Sequence, residues 1–209
     1  MPTPTKPEAV QTLIDVVEWI DQRLSNLELV VSDRVYISSG CFDVALEHQA
    51  AIAKLGESKL YGSALAMVRV LFEAVARGIW LMRCATDSEL EAFKGDRLHK
   101  TFAQILAAVE SSIGNPEQTL SNLKLKSWGA MNSFTHTGFM QITRRHGHGW
   151  SGSNYSDDDI YKGMSCAAAL GLLAAIELCT LAHRDDLGQL VLGRMTLFAD
   201  TYRGESLAQ

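Results

Sequence analysis

Residues 58–85 read SKLYGSALAMVRVLFEAVARGIWLMRCA, a stretch without proline that is apolar on nearly every face of a helix. A helix of that kind is surrounded by other elements, so this segment is the expected centre of a bundle. The pattern stays helical on both sides of it. Upstream, Val10, Leu13, Ile14, Val17, Ile20, Leu24 and Leu27 recur on one face, with Asp15, Glu18, Asp21 and Gln22 opposite. Residues 41–55 form a second helix that Gly56 ends. Downstream, Asp87 caps a short helix, and Asp96 opens one that Gly114 closes. Asn115-Pro116-Glu117-Gln118 starts a helix running toward His136, because an Asn cap is followed by proline in the first turn. Ser156 caps another, whose three aspartates sit at the positive end of the helix dipole, and a last helix spans residues 187–201. Strand-like alternation is weak and confined to Leu29–Ile37. The expectation is an all-α, single-domain bundle of about seven or eight helices over residues 8–209, behind a disordered tail at residues 1–7.

Composition narrows the classes of function. With 47% hydrophobic and 21% charged residues, the chain of 209 residues supports one globular core rather than global disorder. A formal charge of −5 removes whole-surface attraction to nucleic acid but permits a local basic patch. Cys41, Cys84, Cys166 and Cys179 form no C-x-x-C pair, so zinc ribbons and thioredoxin-type motifs lack support. The tail holds three of the four prolines and no apolar run, unlike a secretory signal. Met164–Ala182 approaches the length of a membrane span, but Glu177 lies within it and a carboxylate there is costly in lipid. It reads as a buried core helix, and the protein is expected in the cytoplasm with no membrane partner. No P-loop, dinucleotide-binding, nucleophile-elbow or zincin motif occurs.

Three constellations carry chemistry. Arg69, Glu73 and Arg77 are four apart on one helical stripe, two guanidinium groups with one carboxylate to orient them toward an anion. The alternative is an ion-pair ladder on the wet face of that helix. Asn132 and His136 share a face in Met131-Asn-Ser-Phe-Thr-His-Thr-Gly138, with histidine the side chain best suited to proton transfer near neutral pH. That histidine could instead simply close the helix ahead of Gly138. Arg144, Arg145, His146 and His148 precede a glycine- and serine-rich loop with Trp150 and Tyr155, a combination that can hold a polyanion and stack a base. A solvated surface loop fits that stretch equally well. The histidines and Asp157–Asp159 match no metal-ligand spacing, and capping accounts for the aspartates; no metal and no cofactor is expected.

Residues 58–138 resemble the HEPN superfamily of compact helical proteins, many of them bacterial toxin or defence proteins, and also resemble uncharacterised bacterial helical families in which an arginine- and glutamate-bearing helix is followed by a Thr-His-x-Gly segment. Glu73-Ala-Val-Ala-Arg77 is similar to the acidic and basic pair on an early helix of that superfamily, and Met131-Asn132-Ser133-Phe134-Thr135-His136 to its Arg-Asn-x-x-x-His signature. The resemblance implies a metal-independent ribonuclease of a toxin or phage-defence type, working as a homodimer. His136 would move a proton and Asn132 would position it. Arg69 and Arg77, oriented by Glu73, would clamp phosphate, and Arg144 and Arg145 would contact RNA. Met131 stands where the signature has arginine. Either another arginine takes that place in space, or the chain is a binding module of the same fold for a nucleotide, another small anion or a partner protein.

Overall fold

The computed structural model describes residues 3–30, 32–114, 117–147 and 149–206. Among these, nine helices and one two-stranded hairpin follow in order. They are α1 (Lys6–Leu24), α2 (Asp33–Glu57), α3 (Tyr61–Arg83), α4 (Asp87–Lys94), α5 (Phe102–Ile113), α6 (Thr119–Thr135), α7 (Phe139–Thr143), β1 (His146–Gly147), β2 (Trp150–Ser151), α8 (Asp157–Leu181) and α9 (Asp185–Ser206). The fold is an all-α bundle, with α3 central as its composition requires. It packs against α2, α5, α6 and α8, and Val68, Leu71, Phe72, Val75, Ile79 and Trp80 are buried around its circumference. The second central helix is α8, in contact with α1, α2, α3 and α9. By length and composition it could cross a membrane, yet 67% of its apolar window is buried inside the bundle. Its small residues permit close approach: a Cβ at Gly171 would fall 2.1 Å from the Gln49 carboxamide of α2.

Several boundaries differ from the sequence reading, each for a local reason. Helix α1 begins inside the expected tail, because Glu8 accepts the Thr5 N–H at 2.7 Å and Pro7 sits in the first turn, where no N–H is needed. The second part of the strand-like stretch, residues 33–37, is helical: the Ser32 hydroxyl accepts the Val35 N–H, and α2 starts at Asp33. Thr86, not Asp87, caps α4, through a reciprocal box with Glu89. Asp96 opens nothing; it occupies a left-handed turn at φ 52°, and Thr101 caps α5 in a box with Gln104. Gly114 closes α5 at φ 62°, and Ser156 caps α8 with Asp159, both as read from sequence. The expected start at Asn115-Pro116 lies outside the described residues.

Candidate functional site

The face shared by α3 and α6 brings the first two constellations together. The Thr135 hydroxyl, on the last residue of α6, lies 3.1 Å from the Ala66 carbonyl of α3 and 2.8 Å from the Met131 carbonyl. That pins the last turn of α6 against α3. One turn further along α3, Arg69 donates from Nε to Glu73 Oε1 at 2.8 Å, and its Nη1 lies 2.6 Å from His136 Nε2. Its guanidinium carbon also sits 4.7 Å over the Trp128 ring. Trp128 and Asn132 on α6 and its C-cap His136 are four apart, so they share one helical stripe, and Arg69 meets the first and the third.

The local sequence ends α6 where the imidazole is needed. His136 is the C-cap and is exposed. Thr137 turns left-handed at φ 53°, and the Gly138 N–H donates back to the Ser133 carbonyl at 2.6 Å. A Cβ at Gly138 would lie 2.9 Å from the Ser133 backbone, so glycine is required there.

The bonding fixes the chemistry. A guanidinium has only donors, so His136 Nε2 accepts and the neutral ring carries its proton on Nδ1. Glu73 balances the charge of Arg69 and fixes its plane. The indole holds the guanidinium face and is itself stacked on Phe102, at 5.0 Å between centroids and 17° between planes. Lys124 Nζ lies 5.4 Å from the same indole. The Asn132 side-chain oxygen is buried and has no hydrogen-bond partner among the described residues. Trp128 and Lys124 were not singled out in the sequence; the available signal was an aromatic exactly one α-helical repeat pair, eight residues, before His136 on the same stripe.

Other candidates stand elsewhere. Met131 is buried in the core, so the signature's arginine position faces away from solvent. Arg77 is not paired with Glu73; its Nε is buried without a partner among the described residues. It lies near Cys41 of α2, whose thiol is pushed up by burial against an opposing pull from Arg77. Arg144 is committed to structure rather than free for RNA: Nε and Nη2 reach the two oxygens of Asp159 at 3.2 and 3.0 Å. That fork ties the segment before the hairpin to the start of α8. Arg145 is exposed. Tyr155 is buried against Tyr61 and Phe134 and is not available to stack a base, whereas Trp150 is half exposed. His148 lies outside the described residues.

The Arg144–Asp159 fork sets a pH dependence. Burial pushes the Asp159 carboxyl up, but the Arg144 guanidinium and the Ser156 cap outweigh it and hold it below its ordinary value. A carboxyl depressed on folding contributes stability that is present above its unfolded pKa and is lost as pH falls through the folded one. Asp159→Asn is expected to cost about 2 kcal/mol near neutrality. In urea titrations its deficit against wild type should narrow below about pH 4; a constant deficit would contradict the pairing.

Fold and site together define an all-helical bundle that carries an arginine–histidine couple at the surface between two of its helices. The chain belongs to a family of unknown function, DUF6988, whose model matches residues 42–203. Neither the curated proteins nor the solved structures contain a significant match to it.

Proposed function

We propose that the protein is a HEPN-like, metal-independent ribonuclease of a toxin or phage-defence type, acting in the cytoplasm as a homodimer. The observation that carries the reading is the 2.6 Å approach of Arg69 Nη1 to His136 Nε2. It supplies a guanidinium beside the imidazole from α3, although Met131 cannot supply one from α6. Without substrate, the imidazole lone pair is occupied by Arg69. A phosphodiester competes for the same donor, since a guanidinium binds phosphate in a charge-assisted, bidentate manner. Turning toward phosphate, Arg69 releases Nε2, which then takes the proton of the neighbouring 2′-hydroxyl. The 2′-oxygen attacks phosphorus, the 5′-oxygen leaves with a proton from water, and Arg69 stabilises the charge that develops on the phosphoryl oxygens. Glu73 and Trp128 keep the guanidinium in plane, and the last backbone bond of α6, from the His136 N–H to the Asn132 carbonyl at 3.0 Å, holds the turn that carries the imidazole.

A second reading draws on the buried methionine at 131 and on Glu73, which already neutralises Arg69. The couple would then hold a nucleotide or another small anion without cleaving it, or serve a partner protein. One set of measurements separates the two. Cleavage of single-stranded RNA in EDTA by wild type, reduced about a hundredfold or more by His136→Ala, supports the ribonuclease. No cleavage, with a melting temperature raised by nucleotides in wild type but not in Arg69→Ala, supports the binding module. Undiminished cleavage by His136→Ala refutes the role given to the histidine.

A further inference from the structure

A groove of about 1080 Å³ runs between α1 and α2. Its floor is apolar, formed by Val17, Leu24, Leu29, Leu46 and Leu178. Glu18 and Asp21 rim it from α1, and Asp43 and Glu47 from α2. Among the described residues, no lysine, arginine or histidine lines it. Elsewhere on this surface carboxylates take lysine partners: Glu57 with Lys54, Glu91 and Asp33 with Lys94, Asp158 with Lys162. The four at the groove have no ion-pair partner among the described residues. Tyr36 also lines the groove and is 72% exposed, a large aromatic with an apolar body and a polar tip.

We propose that this groove is the docking surface for a basic amphipathic helix of a partner protein. Unpaired negative charge on both banks selects the occupant. A helix laid lengthwise places its apolar stripe on the leucine floor and its flanking lysines or arginines against the carboxylates. An acidic helix would add like charge on both sides, and a small cation would gain nothing from the apolar floor. The volume lies slightly above the usual range for small-molecule sites, which suits a row of side chains. This surface is independent of the α3–α6 site and of the reading given to it.

The test is fluorescence anisotropy of a labelled peptide roughly four helical turns long, built of leucine and lysine at amphipathic spacing. A matched peptide with glutamate in place of lysine serves as control, and the full chain is the titrant. The lysine peptide is expected to bind and the glutamate peptide not to bind. Asp43→Lys with Glu47→Lys should weaken binding about tenfold or more. Glu57→Lys with Glu91→Lys changes net charge by the same amount away from the groove and should shift affinity less than about twofold. Both double variants alter exposed side chains and should retain the wild-type helical signal. Equal losses in the two double variants would mean attraction to net charge alone and would overturn the proposal. So would binding of both peptides, or of neither.

Discussion

If the protein is the ribonuclease proposed above, Arg69→Lys is expected to lower the single-turnover rate of RNA cleavage nearly as much as Arg69→Ala, each by about 10²–10³. Lysine keeps the charge, so the expectation rests on geometry. Arg69 does three things at once: Nε donates to Glu73, Nη1 reaches His136, and the planar face rests on Trp128. A single ammonium cannot hold all three, and its point charge lacks the fork that engages two phosphoryl oxygens. Glu73→Gln should have a smaller effect, because the amide still accepts from Nε while the guanidinium keeps its place over the indole. The rate should be read beside the melting temperature. A variant that melts like wild type and has lost cleavage has lost chemistry; one that has lost both says nothing special of Arg69. Arg69→Lys with near wild-type rates would remove the guanidinium from the mechanism.

The central helix was legible because burial on all sides leaves a composition that no surface helix has, and Ser156 and Gly114 were legible because their signals are local. The first turns of α2 were not. Val35, Tyr36 and Ile37 imitate a strand, and part of what holds them helical is remote: Arg34 reaches the Leu81 and Ala85 carbonyls at 2.6 and 2.8 Å and the Asp87 carboxylate at 2.9 Å. The same division runs through the site. Helical spacing put Arg69 beside Glu73, but also put Arg77 there, and only the fold shows Glu73 taken by Arg69 and the Arg77 Nε buried without a partner among the described residues. Nothing local joins Arg69 to His136, which are 67 residues apart. Arg144 looked available because its partner, Asp159, lies across the hairpin and already had a capping role. Spacing along one helix shows which charges can meet; the neighbouring helix decides which of them do.

A close contact between α2 and α3 makes a size relation that a mutant cycle can read. Gly78 of α3 faces the ring of Phe42, which is fully buried, and a Cβ at position 78 would lie 2.6 Å from that ring. Phe42→Ala opens a cavity beside Gly78 in the core, and is expected to cost about 3–5 kcal/mol in urea unfolding. Gly78→Ala brings a better helix former but drives a methyl group into an aromatic ring that has no free space to enter. The expected net loss is about 1–3 kcal/mol. The two changes oppose each other in volume, so the double variant should lose less than the sum of the single losses, because the methyl fills part of the space the ring vacates. Strict additivity would mean that glycine at 78 answers to backbone needs rather than to the ring. A double variant worse than the sum would mean that the two helices separate instead of closing on the smaller side chains.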